Sequence, residues 1–115
     1  MKQYQHPTPD QITLTGLLHA LSDPVRLNYV QCLARELREC PCGAIPTPVA
    51  KSTMSHHLRV LREAGIVRIR TEGTQSLTSL RLHEVEAKFP GVLKAVLKAA
   101  DEEGPIGQES SKPVL

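Results

Sequence analysis

A chain of 115 residues, 40% of them hydrophobic, can fill one modest core but not two. With two tyrosines, one phenylalanine and no tryptophan, that core must be built from Leu, Val, Ile and Ala, which favours a helix-rich fold over a sandwich. The net charge is only +2, yet Lys51, Arg59, Arg62, Arg68 and Arg70 face a single acid, Glu63, between residues 51 and 70. Asp101, Glu102, Glu103 and Glu109 collect near the C-terminus instead. A basic block of this kind is the footprint expected on a phosphate backbone; a solvated charged face is the plain alternative. No apolar run approaches a membrane span, and MKQYQHPTPD has no signal-peptide core, so a cytoplasmic protein with no membrane partner is expected. Three cysteines, an odd number without secretory context, are expected as thiols. The chain has no glycine-rich phosphate loop and no nucleophile elbow, which argues against an enzyme.

Residues 1–9 read as a loose arm, residues 10–103 as one folded domain, and the Gly/Pro/Ser-rich residues 104–115 as a disordered tail. Asp10 is a candidate cap for a first helix reaching Leu21, with Ile12, Leu14, Leu17, Leu18 and Leu21 as apolar positions. A helix so apolar must be buried, in its own domain or against a partner. Ser22-Asp23-Pro24 starts a second helix, with a capping side chain before proline at the first helical position. Leu27, Val30, Leu33, Ala34 and Leu37 form its stripe, and Cys32 lies on the flank shared with Tyr29. Between Glu39 and Lys51, four prolines and glycines leave room for a single helical turn at most.

The stretch KSTMSHHLRVLREAGIVRIRTEGT reads as a helix followed by a β-hairpin. At ~100° per residue, Met54, Leu58, Leu61 and Gly65 share a core-facing sector, while Ser52, Ser55, His56, Arg59 and Glu63 face outward. Short hydrogen-bonding side chains followed by an arginine suit a helix whose N-terminal half reads base edges in a major groove. Ser52 is the candidate N-cap, and Gly65-Ile66 fits a Schellman stop. Val67 and Ile69 alternate with Arg68 and Arg70, giving a strand with one apolar and one basic face. Glu72-Gly73 marks the turn, and Gln75 to Leu82 returns as a Ser/Thr-rich strand. A short helix over HEVEAKF and a second over PGVLKAVLKAADEE, with Pro90 in its first turn, close the chain.

Two stretches together carry a family resemblance. LLHALSDPVRLNYVQCL resembles the helix–Asp-Pro-x-Arg-Leu–helix opening of ArsR/SmtB-type bacterial repressors, and KSTMSHHLRVLREAGIVRIRTEG resembles their reading helix and wing. The resemblance covers residues 14 to 82. It implies a mostly helical α+β fold: a winged helix-turn-helix with a two-stranded hairpin wing and terminal dimerisation helices. It also implies a homodimer that represses transcription from an imperfect palindrome in double-stranded DNA and is released by an effector. In that reading Ser52, Thr53, Ser55, His56 and Arg59 enter the major groove, and Lys51, Arg62, Arg68 and Arg70 contact phosphate. The chain departs from the family at IPTPVAK, where the first helix of the motif is shortened or distorted, and at Thr74-Gln75, where a basic or aromatic residue often follows the turn. A second reading keeps the winged-helix dimer as a protein-interaction scaffold with weak DNA affinity.

Cys40-Pro-Cys42 falls where arsenic-responsive members carry a Cys-x-Cys pair, and Cys32 is the one further thiol that could complete a set. Such a set suits As(III) or Zn(II) as effector, or a switch by oxidation; cysteines without a ligand are the plain alternative. The family's other metal site, on the last helix, is not matched: the chain has Arg81-Leu-His83, with Lys94 in place of the second histidine. His56 and His57 are adjacent on a helix and diverge by ~100°, so they do not converge on one ion.

Overall fold

The computed structural model describes residues 3–36 and 38–104; Leu37 and the expected tail from residue 105 onward lie outside the described residues. Helices α1 (Leu14–Leu21), α2 (Pro24–Glu36), α3 (Lys51–Glu63), α4 (Leu82–Lys88) and α5 (Val92–Glu103) surround a sheet of β1 (Cys40–Pro41), β2 (Val67–Glu72) and β3 (Gln75–Leu80). The sheet is antiparallel in the order β1-β3-β2. Leu17, Val30, Leu33, Leu61, Ile66, Val67, Val85 and Leu93 are buried together around the Tyr29 ring, the aliphatic core that the composition requires.

The first helix begins later than the apolar pattern predicts. Asp10 sits in a short 3-10 turn, Pro9–Gln11, where the Gln11 carboxamide accepts from the Thr8 N–H at 2.8 Å. Ile12 is then extended and buried, and Thr13 caps α1 by accepting from the Gly16 N–H at 3.0 Å. A helix from Asp10 needs the carbonyls of Pro9, Asp10 and Ile12 for its own ladder. The Lys88 ammonium donates to all three, at 2.9, 3.1 and 2.6 Å, and the Pro9 carbonyl also closes the 3-10 turn by accepting from the Ile12 N–H. Upstream, residues 3–9, expected as a loose arm, lie against the hairpin and α3. His6 Nε2 accepts from the Ile69 N–H at 2.9 Å, and Arg81 donates to the Pro7 carbonyl at 2.9 Å.

The start of α2 follows the sequence rule: Asp23 Oδ1 accepts from the N–H groups of Val25 and Arg26 at 2.8 and 3.1 Å, ahead of the helix that Pro24 opens. Beyond α2, the segment expected to be irregular contributes a third strand. Cys40 pairs with Thr78 and Pro41 with Leu77, so the expected two-stranded wing has three strands, followed by a single 3-10 turn at Cys42–Ala44.

Helix α3 starts one residue before the expected cap. Ala50 precedes it without a side-chain cap, and Ser52 stands exposed inside the first turn. Its end is the expected Schellman stop. Gly65 adopts φ +85°, its N–H donates to the Arg62 carbonyl, and the Ile66 N–H donates to the Leu61 carbonyl. The hairpin turns through Gly73-Thr74, between the paired Glu72 and Gln75, with Val67 and Ile69 buried and Arg68 and Arg70 exposed. Pro90 lies just ahead of α5 rather than within its first turn. Gly91, at φ +84°, provides the N-cap, and the Glu86 carboxylate accepts from the Gly91 and Lys94 N–H groups at 2.9 and 3.1 Å.

Candidate nucleic-acid interface

Helix α3 lies against α1, α2 and β2 and turns one long face outward. Lys51, Ser52, Thr53, Ser55, His56, Arg59 and Glu63 are exposed, while Met54, His57 and Leu61 are buried. The outward set matches the row expected to read base edges, with short polar groups in the first turns and Arg59 after them. Ser55 Oγ donates back to the Lys51 carbonyl at 3.2 Å, so its lone pairs face solvent.

The helix is keyed to the body of the domain by a buried polar cluster. Arg26, buried on α2, donates from Nε to the Ala20 carbonyl at 2.7 Å and from Nη2 to the His19 carbonyl at 3.3 Å. Its Nη1 reaches His57 Nδ1 at 3.1 Å, and Asp23 Oδ1 stands 3.9 Å from the same ring nitrogen. A guanidinium only donates, so Nδ1 of His57 is the acceptor in this contact. One side chain thus ties carbonyls at the end of α1 to the His57 ring of α3. The sequence signals Asp23 as a cap and puts His57 at the edge of the core. Arg26 stands in the Asp-Pro-x-Arg-Leu motif, but its role goes unsignalled, because its partner on α3 is 31 residues away.

The basic residues fall into two groups. Among the described residues, Lys51 and Arg59 are exposed and donate to no protein acceptor. Arg62 is turned toward the N-terminal segment, donating to the Gln5 carbonyl with its guanidinium 5.5 Å from the Tyr4 ring centre. Arg68 pairs with Glu84 at 3.1 Å. Arg70 is chelated by Glu39, with Nε and Nη2 each 2.6 Å from a carboxylate oxygen, and its Nη1 lies 2.9 Å from Glu72. Sequence reasoning missed Glu39 and Glu84, which are distant in sequence from the arginines they hold. Glu84 is also gripped by buried Arg81 at 2.9 Å through both oxygens, and chiefly for that reason its carboxyl falls to about 2.

The three cysteines are reduced thiols on α2, on β1 and at the following turn. Cys40 is buried in the sheet, and the Cys42 carbonyl accepts from the Tyr29 hydroxyl at 3.3 Å. Burial pushes the Cys42 thiol up, against the thiolate that a soft ion requires. Among the described residues no three His, Cys, Asp or Glu side chains converge on a point that could hold a metal ion. Cys32, Cys40 and Cys42 all lie near the Tyr29 hydroxyl, whose pKa burial and these thiols raise, but they do not form a group that could hold a metal ion. His83 is exposed near the start of α4.

Comparison with known proteins agrees with this geometry. Residues 21–70, which span α2 to β2, match the model of a helix-turn-helix domain family. An uncharacterized HTH-type transcriptional regulator of Bacillus subtilis (strain 168), YceK, is 33% identical over 89 residues, covering 76% of this chain and 88% of that protein. The crystal structure of a possible transcriptional regulator for arsenical resistance superposes with a TM-score of 0.54 at 29% identity, over 79% of this chain and 84% of the other. An ArsR family transcriptional regulator shares the fold with a TM-score of 0.57 at 23% identity, over 86% and 95% of the two chains. No helix among the described residues is long and apolar enough to cross a membrane. The chain belongs to the HTH-type transcriptional regulators, DNA-binding proteins and not enzymes, and it shares its fold with an ArsR family regulator.

Proposed function

We propose that the protein is a homodimeric repressor that reads an imperfect palindrome in double-stranded DNA through α3. The observation that carries this reading is the outward row of α3, with Lys51 and Arg59 uncommitted to any described acceptor, on a helix keyed at His57 and stopped at Gly65. Ser52, Thr53, Ser55, His56 and Arg59 face the major groove. Lys51 and Arg62 at the flanks, and Arg68 and Arg70 on the wing, contact phosphate. Dimerisation uses the outward apolar side of α1, where Leu14 and Leu18 remain 43% and 46% exposed, together with α5.

Selection of binding sites from a randomised duplex pool, followed by titration at several salt concentrations, tests the reading. Expected are half-sites one or more helical turns apart and a steep fall of affinity with salt. Arg59→Ala is expected to lose about tenfold or more on the selected site and far less on random duplex. Equal losses on both would remove Arg59 from base reading. A pool that yields no site, with binding indifferent to salt, favours the interaction scaffold, the reading supported by the single-turn segment before α3. Repeating the titration with As(III), Zn(II) and an oxidant, on the native chain and on Cys40→Ser/Cys42→Ser, tests relief through the thiols. Release that the double variant abolishes assigns the signal to them.

A further inference from the structure

The five basic groups assigned to DNA are not equally available, and the most restrained is Arg70. A guanidinium offers two edges for a bidentate acceptor: one formed by Nε and Nη2, the other by the two terminal nitrogens. Glu39 occupies the first edge with both oxygens at 2.6 Å, and Glu72 takes Nη1 at 2.9 Å. Neither edge is left open to a phosphate. One cation held by two carboxylates carries a net charge of −1, so this part of the wing repels the backbone it is meant to meet. Lys51 and Arg59, by contrast, stand uncommitted on α3.

We infer that Glu39 is an internal phosphate mimic that competes with DNA for Arg70 and sets the affinity of the wing. This rests on the reading of Arg70 as a phosphate contact. Glu72 lies beside Arg70's own strand register and flanks the hairpin turn, whereas Glu39 comes from outside the hairpin. It immediately precedes β1, the two-residue strand laid along β3. The carboxylate therefore reaches the wing only while β1 is docked. The bond also lowers the Glu39 carboxyl from its ordinary value, Arg70 being the main cause, so the clasp is charged at neutral pH. Release of Glu39 exposes one guanidinium per wing to phosphate, a gain that is independent of base sequence.

The test is a cycle of Glu39→Gln, Arg70→Ala and the double variant, titrated by fluorescence anisotropy on random-sequence duplex and on a selected site, with thermal melts to confirm folding. Gln keeps the shape of Glu39 and removes the charge. Expected is a tightening of about fivefold to tenfold on both duplexes for Glu39→Gln, with a steeper salt dependence by about one phosphate contact per wing. In the double variant that gain disappears. Glu36→Gln, which removes an equal charge three residues upstream, is expected to leave affinity nearly unchanged. If Glu39→Gln binds no tighter than the native chain while the double variant binds much more weakly than Glu39→Gln, Arg70 touches DNA and the competition is refuted. If the double variant and Glu39→Gln both match the native chain, the assignment of Arg70 to phosphate fails as well. A gain that survives removal of Arg70, or that Glu36→Gln reproduces, is a general charge effect and overturns the inference.

Discussion

Arg26 and Gly65 show how single residues aim a reading helix. Arg26 joins two carbonyls of α1 and one ring nitrogen of α3 in a single buried joint. A buried guanidinium is tolerated only when its donors find acceptors, and here the Ala20 and His19 carbonyls and the His57 ring nitrogen take one from each of its three nitrogens. Gly65 acts at the other end of α3. Its φ of +85° disfavours any side chain, and a Cβ there would stand 2.5 Å from Cγ1 and Cδ1 of the buried Ile12. Gly65→Ala combines left-handed strain with overpacking and is expected to cost about 2–4 kcal/mol, read as a lower midpoint in urea unfolding. A loss below about 1 kcal/mol would mean that Ile12 yields and the stop tolerates a side chain. Gly65 was legible in the sequence because its role depends on adjacent residues. Arg26 was not, since an arginine in a helix reads as solvated until the fold brings acceptors to it.

At the level of elements, local patterns announced what neighbouring residues decide. The amphipathic stripe of α3, its stop, the alternating strand β2 and the cap of α2 all stand as the sequence reads them. Elements that depend on distant partners do not. Strand β1 is two residues with a proline, and only β3, some 37 residues on, makes it a strand. The N-terminal segment reads as loose from its prolines, yet Arg62, Ile69, Arg81 and Lys88 hold it from positions 57 to 79 residues away. The latch on β2 is His6. Burial first, then the charges of Arg68, Arg62 and Arg81, against the opposing pull of Glu84, lower its pKa from an ordinary value near 6.5. The unfolded chain binds the proton more readily, so this latch contributes stability above pH ~6.5 and loses it as pH falls through the lower folded value. The Ile69 amide resonance is expected to follow His6 with a midpoint below 6.5, and His6→Gln to remove the titration while keeping an acceptor. A midpoint at or above 6.5 would show that the ring gains, rather than loses, its proton on folding.

For the whole molecule, charge and apolarity are segregated. The basic residues of α3 and β2 stand apart from Leu14 and Leu18, which α1 leaves exposed. In the proposed homodimer these leucines are the surface that a second copy covers. Leu18→Asp is expected to leave the helical signal intact and halve the mass seen by sedimentation equilibrium. It should also weaken binding to a two-half-site duplex far more than to a single half-site. A native chain that sediments as a monomer, or a variant that stays dimeric, would move the interface elsewhere.

Both margins of the three-stranded sheet are partly blocked. On one side β1 is short and ends on Pro41, which has no N–H to offer; on the other, the Ile69 N–H is already taken by His6. A strand from a neighbouring molecule finds little to pair with at either margin. Crowding many copies together is therefore expected to favour contact through helical surfaces over edge-to-edge strand pairing.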